Sequence, residues 1–313
     1  MLALVHPYGA VTMPTGRIRV GTASWTDPSL IKCGKFYPTG CNSPEARLRF
    51  YAEQFPMVEV DSSYYALPSS RNAEAWVART PDDFTFNMKA FRLFTGHQTP
   101  ANALPRDIQV ALATHFSGKR NLYYKDTPEE IRNTLWKRFE MALRPLHEAG
   151  KLRALHFQFA PWVTQSTKAK DHILECATRM AGYHLAIEFR HYSWFDRQNQ
   201  ASTLAFERTH DLTHVIVDEP QGFANSIPSI WEVTSAKLAI VRLHGRNSAT
   251  WNIGGEAASE RFNYDYSDQE LGQIAESTKG IASEVDETDA VFNNNYEDQG
   301  QRNGKTLMSI LNR

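Results

Sequence analysis

Eight short apolar runs punctuate the chain, and in most of them polar or charged residues stand at alternate positions. In Val58-Glu59-Val60-Asp61 the valines face one way and the acids the other. The same alternation marks Phe84-Thr85-Phe86-Asn87-Met88-Lys89, Leu155-His156-Phe157-Gln158-Phe159, Leu185-Ala186-Ile187-Glu188-Phe189-Arg190 and Val241-Arg242-Leu243-His244. A period of two is the signature of a β-strand. The runs predict strands over 18–24, 58–65, 84–90, 154–160, 184–190, 214–218, 238–244 and 289–294. Helical patterns lie between most of them, so the strands should be parallel and buried on both faces. A buried polar face then needs an explanation, because unpaired charge in low dielectric is costly. A closed barrel whose mouth is a reaction site supplies one.

The intervening helices carry start signals. Ser43-Pro44 offers an N-cap and an N1 proline ahead of the stripe Leu48, Tyr51, Ala52 and Phe55. Thr127-Pro128-Glu129-Glu130 and Ser267-Asp268-Gln269-Glu270 both read as capping boxes. Further helices are expected over 167–181 and 302–311. Two βα connections, 91–127 and 245–266, are too long for plain turns and are expected as functional loops over the C-terminal mouth. The first carries Arg92, His97, Lys119, Arg120 and Lys125, and the second Gly245, Arg246, Trp251 and Arg261. The glycine pair Gly254-Gly255 in the second reads as flexibility. Residues 1–17 read as a leader without the pattern of a signal peptide, and 18–313 as one barrel domain.

Composition adds mainly exclusions. A hydrophobic fraction of 42% and a net charge of −1 suit a globular chain without a global basic field for nucleic acid or membrane. No apolar run approaches transmembrane length. Three cysteines, Cys33, Cys41 and Cys176, fit incidental thiols in a reducing, cytoplasmic setting better than a disulfide framework or a zinc site. There is no GxGxxG after a strand, no P-loop and no GxSxG elbow.

With the aliphatic residues turned to the helices, the lumen should receive Glu59, Asp61, Asn87, Lys89, His156, Gln158, Glu188, Arg190, Asp218, Arg242 and His244, joined by Asn293 and Asn295. Glu59, His156 and Arg242 lie deeper and are expected to pair as a polar core. Asp61, Lys89, Glu188, Arg190, Asp218, His244 and Arg246 lie nearer the mouth. Glu188, His244, Asp61 and Asp218 are the candidate acid–base residues. Lys89, Arg190, Arg246, Asn87, Gln158, Asn293 and Asn295 are candidates for substrate binding. Trp25 and Tyr65 are candidate stacking residues, with helix packing the alternative. The mixture of cations and carboxylates favours a metal-free site. A single magnesium or manganese ion on Asp61, Glu188 and Asp218 is the alternative.

Gly21-Thr22-Ala23-Ser24-Trp25, Val58 through Tyr65, Phe86-Asn87-Met88-Lys89-Ala90, Phe157 through Trp162, Glu188-Phe189-Arg190-His191, Asp218-Glu219-Pro220, Arg242 through Arg246 and Asn293-Asn294-Asn295-Tyr296 occur in that order. With these motifs the chain resembles the domain-of-unknown-function family 72, the YecE-like proteins, from about residue 18 to 311. One departure is Ala160, where the family's pattern would have proline. The resemblance implies an α/β fold of the TIM-type (β/α)8 class, distantly similar to the endonuclease IV and xylose isomerase barrels, and no agreed reaction. The sequence therefore points to a barrel enzyme acting by acid–base chemistry on a small polar or anionic substrate. Phosphodiester hydrolysis on nucleic acid and a non-catalytic binding barrel are the competing readings.

Overall fold

The computed structural model describes residues 16–113, 120–253 and 261–312. Most of the leader, Lys119 and the Gly254-Gly255 pair lie outside the described residues.

Eight strands form one closed, all-parallel barrel in sequence order. They are β1 (Arg17–Ala23), β2 (Met57–Val60), β3 (Thr85–Lys89), β4 (Leu152–Gln158), β5 (Leu185–Glu188), β6 (Thr213–Asp218), β7 (Leu238–Leu243) and β8 (Glu287–Phe292). Around them run α1 (Pro44–Gln54), α2 (Ser70–Ala78), α3 (Glu129–Glu148), α4 (Thr167–Arg179), α5 (Gln200–Thr209), α6 (Asp268–Ala282) and α7 (Gln299–Leu311). In the runs that alternate, the aliphatic and aromatic neighbours of Glu59, Asn87, His156 and Glu188 pack outward on these helices, whereas Val217 and Ile240 share the lumen face with Arg242. Phe86, Phe157 and Trp136 join one buried cluster, and Phe94 stacks on Trp136 at 3.6 Å.

Two local readings are corrected. The second strand stops at Val60, and Ser62–Tyr65 turn into a short helix. The Ser63 hydroxyl reaches the carbonyls of Val60 (2.9 Å) and Lys89 (2.6 Å), offering the backbone an alternative to the ladder. The second is the Thr127 capping box, which does not form. Pro128, at ψ 146°, is still outside the helix, so α3 starts one residue later and the Thr127 hydroxyl donates back to the Tyr123 carbonyl. The crossover from β6 to β7, residues 219–237, contains no helix. Pro220, Gly222 and Pro228 break that segment, while Ile227 is buried within it. The Ser267 capping box and the Ser43 cap form as read.

Candidate active site

The register decides which side chains enter the barrel. Glu59 lies level with Asn87, Lys89 with His156, and Gln158 with Glu188. Neighbours level in a parallel sheet share a face, so these enter the lumen together. Three layers of charge result.

At the floor, Arg19 and Arg153 converge on Glu287. Just above, the Asn87 amide donates to Asp289 at 2.9 Å. Asn87 is therefore fixed below the mouth by an acid not among the expected site residues. In the middle layer Arg242 is fully buried, and its two terminal nitrogens donate to Glu59 and Glu188, each at 2.6 Å. His156 lies between the same two carboxylates, 3.1 Å from each. The deep polar core is thus found, but Glu188 belongs to it. Burial alone would push the Glu188 carboxyl up; the Arg242 guanidinium outweighs it and holds the group well below the usual carboxylate range. The ionised form of Glu188 is the favoured one.

The mouth layer sits directly on this core. Arg190 Nη1 lies 3.0 Å from Glu188 Oε1, 3.0 Å from Glu219 Oε2 and 3.2 Å from His244 Nε2. Trp251 of the long loop after β7 lies against the same guanidinium at 5.1 Å. His244 is held on its other side by Asn293, with 2.8 Å from Nδ1 to the amide. Burial lowers the His244 pKa to about 3 against the pull of Glu188, so the ring is neutral. A guanidinium only donates, so Nε2 faces donors from Arg190 and Arg242 and acts as an acceptor. Immediately after it the chain reverses at Gly245, with φ +85°, where an added Cβ would sit 2.5 Å from that of Tyr264. Across the mouth, Lys89 Nζ is 3.4 Å from Asp61 Oδ1, and that oxygen has no hydrogen bond. Burial raises the Asp61 pKa and Lys89 only partly opposes it.

Asp218 is the main correction. Val217 lies level with Arg242 and Asp218 with Leu243, so Asp218 faces the helices. It binds Arg246 through Nε (2.9 Å) and Nη2 (2.7 Å), and accepts from the Tyr266 hydroxyl at 2.8 Å. Arg246 also reaches Glu270 of α6 at 3.0 Å and likewise leaves the lumen. The lumen acid here is Glu219, the residue just past the end of β6, which the sequence reading missed. Its Oε1 accepts from the Ile227 N–H at 2.9 Å, so the helix-free crossover is what holds it. Burial pushes the Glu219 pKa up to about 7, with Arg190 pulling the other way. A continuous apolar run, Val215-Ile216-Val217, hid the parity; only the register reveals it.

Of the three carboxylates named for a magnesium or manganese ion, Asp218 points away from Asp61 and Glu188. Among the described residues no group of three or more His, Cys, Asp or Glu is arranged to hold a metal ion. Trp25 is 7% exposed and packs edge-on against Trp76 of α2 at 5.7 Å, which makes it a packing residue. Tyr65 is 62% exposed at the rim, on the short helix rather than at a strand end. Gln158 closes β4 on the lumen side. Asn295 fastens the rim, its amide 3.4 Å from Asp27. His97, noted only as a loop residue, lies edge-on to Tyr64 and Trp162 at 5.2 and 5.8 Å. Both long loops therefore reach the C-terminal end, where Trp162 donates to Gly96 and Tyr266 to Asp218. No helix among the described residues is long and apolar enough to cross a membrane.

Comparison with known proteins agrees with this architecture. The chain is 30% identical over 297 residues, 94% of each chain, to the UPF0759 protein YunF of Bacillus subtilis (strain 168). It is similar to the crystal structure of a DUF72 family protein from Enterococcus faecalis V583, with TM-score 0.75 and 26% identity over 95% of this chain and 96% of that one. A DUF72 family protein from Thermotoga maritima MSB8 gives TM-score 0.74 and 28% identity over 95% of this chain and 100% of that one. The family model described as "Protein of unknown function DUF72" matches residues 19–313, and the chain belongs to that family.

Proposed function

We propose that the chain is an enzyme that transfers protons on a small anionic substrate held at the C-terminal mouth of the barrel. The observation that carries this reading is the pair of carboxylates about one guanidinium. Glu188 and Glu219 both lie 3.0 Å from Arg190 Nη1, yet they titrate apart. Glu188 stays ionised, whereas Glu219 changes state near pH 7. Two acids whose surroundings drive their protonation apart divide the roles of fixed anion and proton carrier.

Arg190 and Lys89 receive the anionic part of the substrate. A negative charge arriving beside Arg190 favours the protonated form of Glu219, which then acts as general acid on a substrate atom lying against that guanidinium. Glu219 Oε2 faces Arg190 Nη1 without an aligned hydrogen bond, and it is the oxygen that carries the proton to be donated. Asp61, partly exposed and with a raised pKa, is the second proton carrier across the mouth. Neutral His244 accepts from Arg190 and keeps its guanidinium in place. Glu188 is a positioning residue, since it acts through Arg190 and Arg242.

The test is turnover in a complex mixture. Protein is incubated with a metabolite extract, and depletion and appearance of compounds are followed by mass spectrometry. The wild type should convert at least one anionic compound. Glu219→Gln should still bind that compound and convert it at least about a hundredfold more slowly. Equal conversion by Glu219→Gln would contradict the assignment.

A further inference from the structure

The cations at the mouth are unequally neutralised. Lys89 faces Asp61, and Arg190 faces Glu188 and Glu219. Arg92, three residues past β3, makes no ion pair with a carboxylate among the described residues, and its Nε is buried without a hydrogen-bond partner. Its guanidinium carbon instead lies 5.2 Å from the centroid of the Tyr64 ring. Lys89 Nζ lies 5.1 Å from the same centroid. The supporting backbone is fixed: the Arg92 N–H donates to the Tyr64 carbonyl at 3.1 Å, and Ser63 ties the Tyr64 helix to Lys89. His97, edge-on to Tyr64, is held neutral by burial and by the fields of Lys89, Arg92 and Arg190 together. Two cations, Lys89 and Arg92, therefore lie against one tyrosine ring, and Arg92 lacks a counter-ion among the described residues.

A partly desolvated guanidinium without a counter-ion is costly, and a bound anion removes the cost. A carboxylate is planar and satisfies one guanidinium edge. A phosphoryl group spreads two negative charges over oxygens pointing in several directions, which suits donors arriving from different elements. We infer that the substrate carries a phosphoryl group and that Arg92, with Lys89 and Arg190, binds its oxygens. The inference rests on the mouth being the substrate site, but not on proton transfer there.

The test is equilibrium binding to the full chain by calorimetry, at constant ionic strength, with inorganic phosphate, acetate and a short single-stranded oligonucleotide as separate probes. Phosphate should bind saturably and about tenfold or more tightly than acetate. Arg92→Gln should weaken phosphate about tenfold or more, Arg92→Lys less, and Arg144→Gln on the outer face of α3 not at all. Should Arg92→Gln fail to fold, the comparison of Arg92→Lys with wild type carries the test. Phosphate binding no tighter than acetate, or unchanged by Arg92 substitution, would overturn the inference. Tighter, Arg92-dependent binding of the oligonucleotide would replace a small phosphorylated substrate with a phosphodiester. Loss of the acid–base reading would appear only in turnover by Glu219→Gln and would leave this titration unchanged.

Discussion

Asp218 and Glu219 are adjacent in sequence and lie on opposite sides of the barrel wall. One clamps Arg246 outside; the other shares Arg190 with Glu188 inside. Where strands alternate in hydrophobicity, as at Glu59, Lys89, Glu188 and Arg242, the facing of each side chain was legible from sequence. On β6 three aliphatic residues in a row carried no such signal. The consequence for stability is specific. A carboxyl ordinarily ionises near about 4.3 in an unfolded chain, whereas Glu219 holds its proton to about 7 in the fold. Its contribution to stability is complete below the unfolded value and is lost as pH rises through the folded one, by roughly 3–4 kcal/mol at pH 8. Glu219→Gln, neutral throughout, should therefore melt at a higher temperature than wild type at pH 8 and at a similar one near pH 4, measured by calorimetry. A lower melting temperature at pH 8 would show that the ionised carboxylate is needed. Glu188 has the opposite sign. Its depressed pKa makes the ionised form stabilising above the usual carboxylate range, and Glu188→Gln removes one of the two buried carboxylates that compensate Arg242. That substitution should cost about 3–5 kcal/mol in denaturant unfolding at pH 7, and a cost below about 1 kcal/mol would contradict the paired role.

Among the elements, strand positions were legible because a buried two-sided strand leaves a strong hydrophobic signature, and helix starts were legible where a hydroxyl could cap. Ser267 and Thr127 show where that reasoning divides. Ser267 accepts from Glu270 N–H while the Glu270 side chain returns to the Ser267 N–H, so both orphan donors are met. Ser267→Ala should lower stability by about 1 kcal/mol, read as a shift of the denaturant midpoint. No loss would mean that α6 is held by packing alone. Thr127 precedes a proline that stays outside its helix, and its hydroxyl bonds backward instead. The helix-free crossover after β6 was not legible either. Its role depends on a contact distant in sequence, the Ile227 N–H on Glu219, which no local periodicity encodes.

For the whole molecule, closure of the barrel makes the buried charges tolerable. Strand register brings Glu59 of β2, His156 of β4, Glu188 of β5 and Arg242 of β7 to one level, where each compensates another. No pair of these residues is close in sequence, so the pairing could be expected in kind but not in geometry. This rigid middle layer carries the mouth layer, in which Arg190, Lys89 and Arg92 face solvent-side chemistry and Glu219 stands ready to change state. One mouth carboxyl, Glu219, is poised near neutrality while its partner Glu188 is not. The direct measurement is a carbon-13 NMR titration of the glutamate side-chain carboxyls, with the Glu219 signal assigned by its loss in Glu219→Gln. That signal should have its midpoint near 7. A midpoint near about 4.3, the value of an ordinary glutamate, would contradict it.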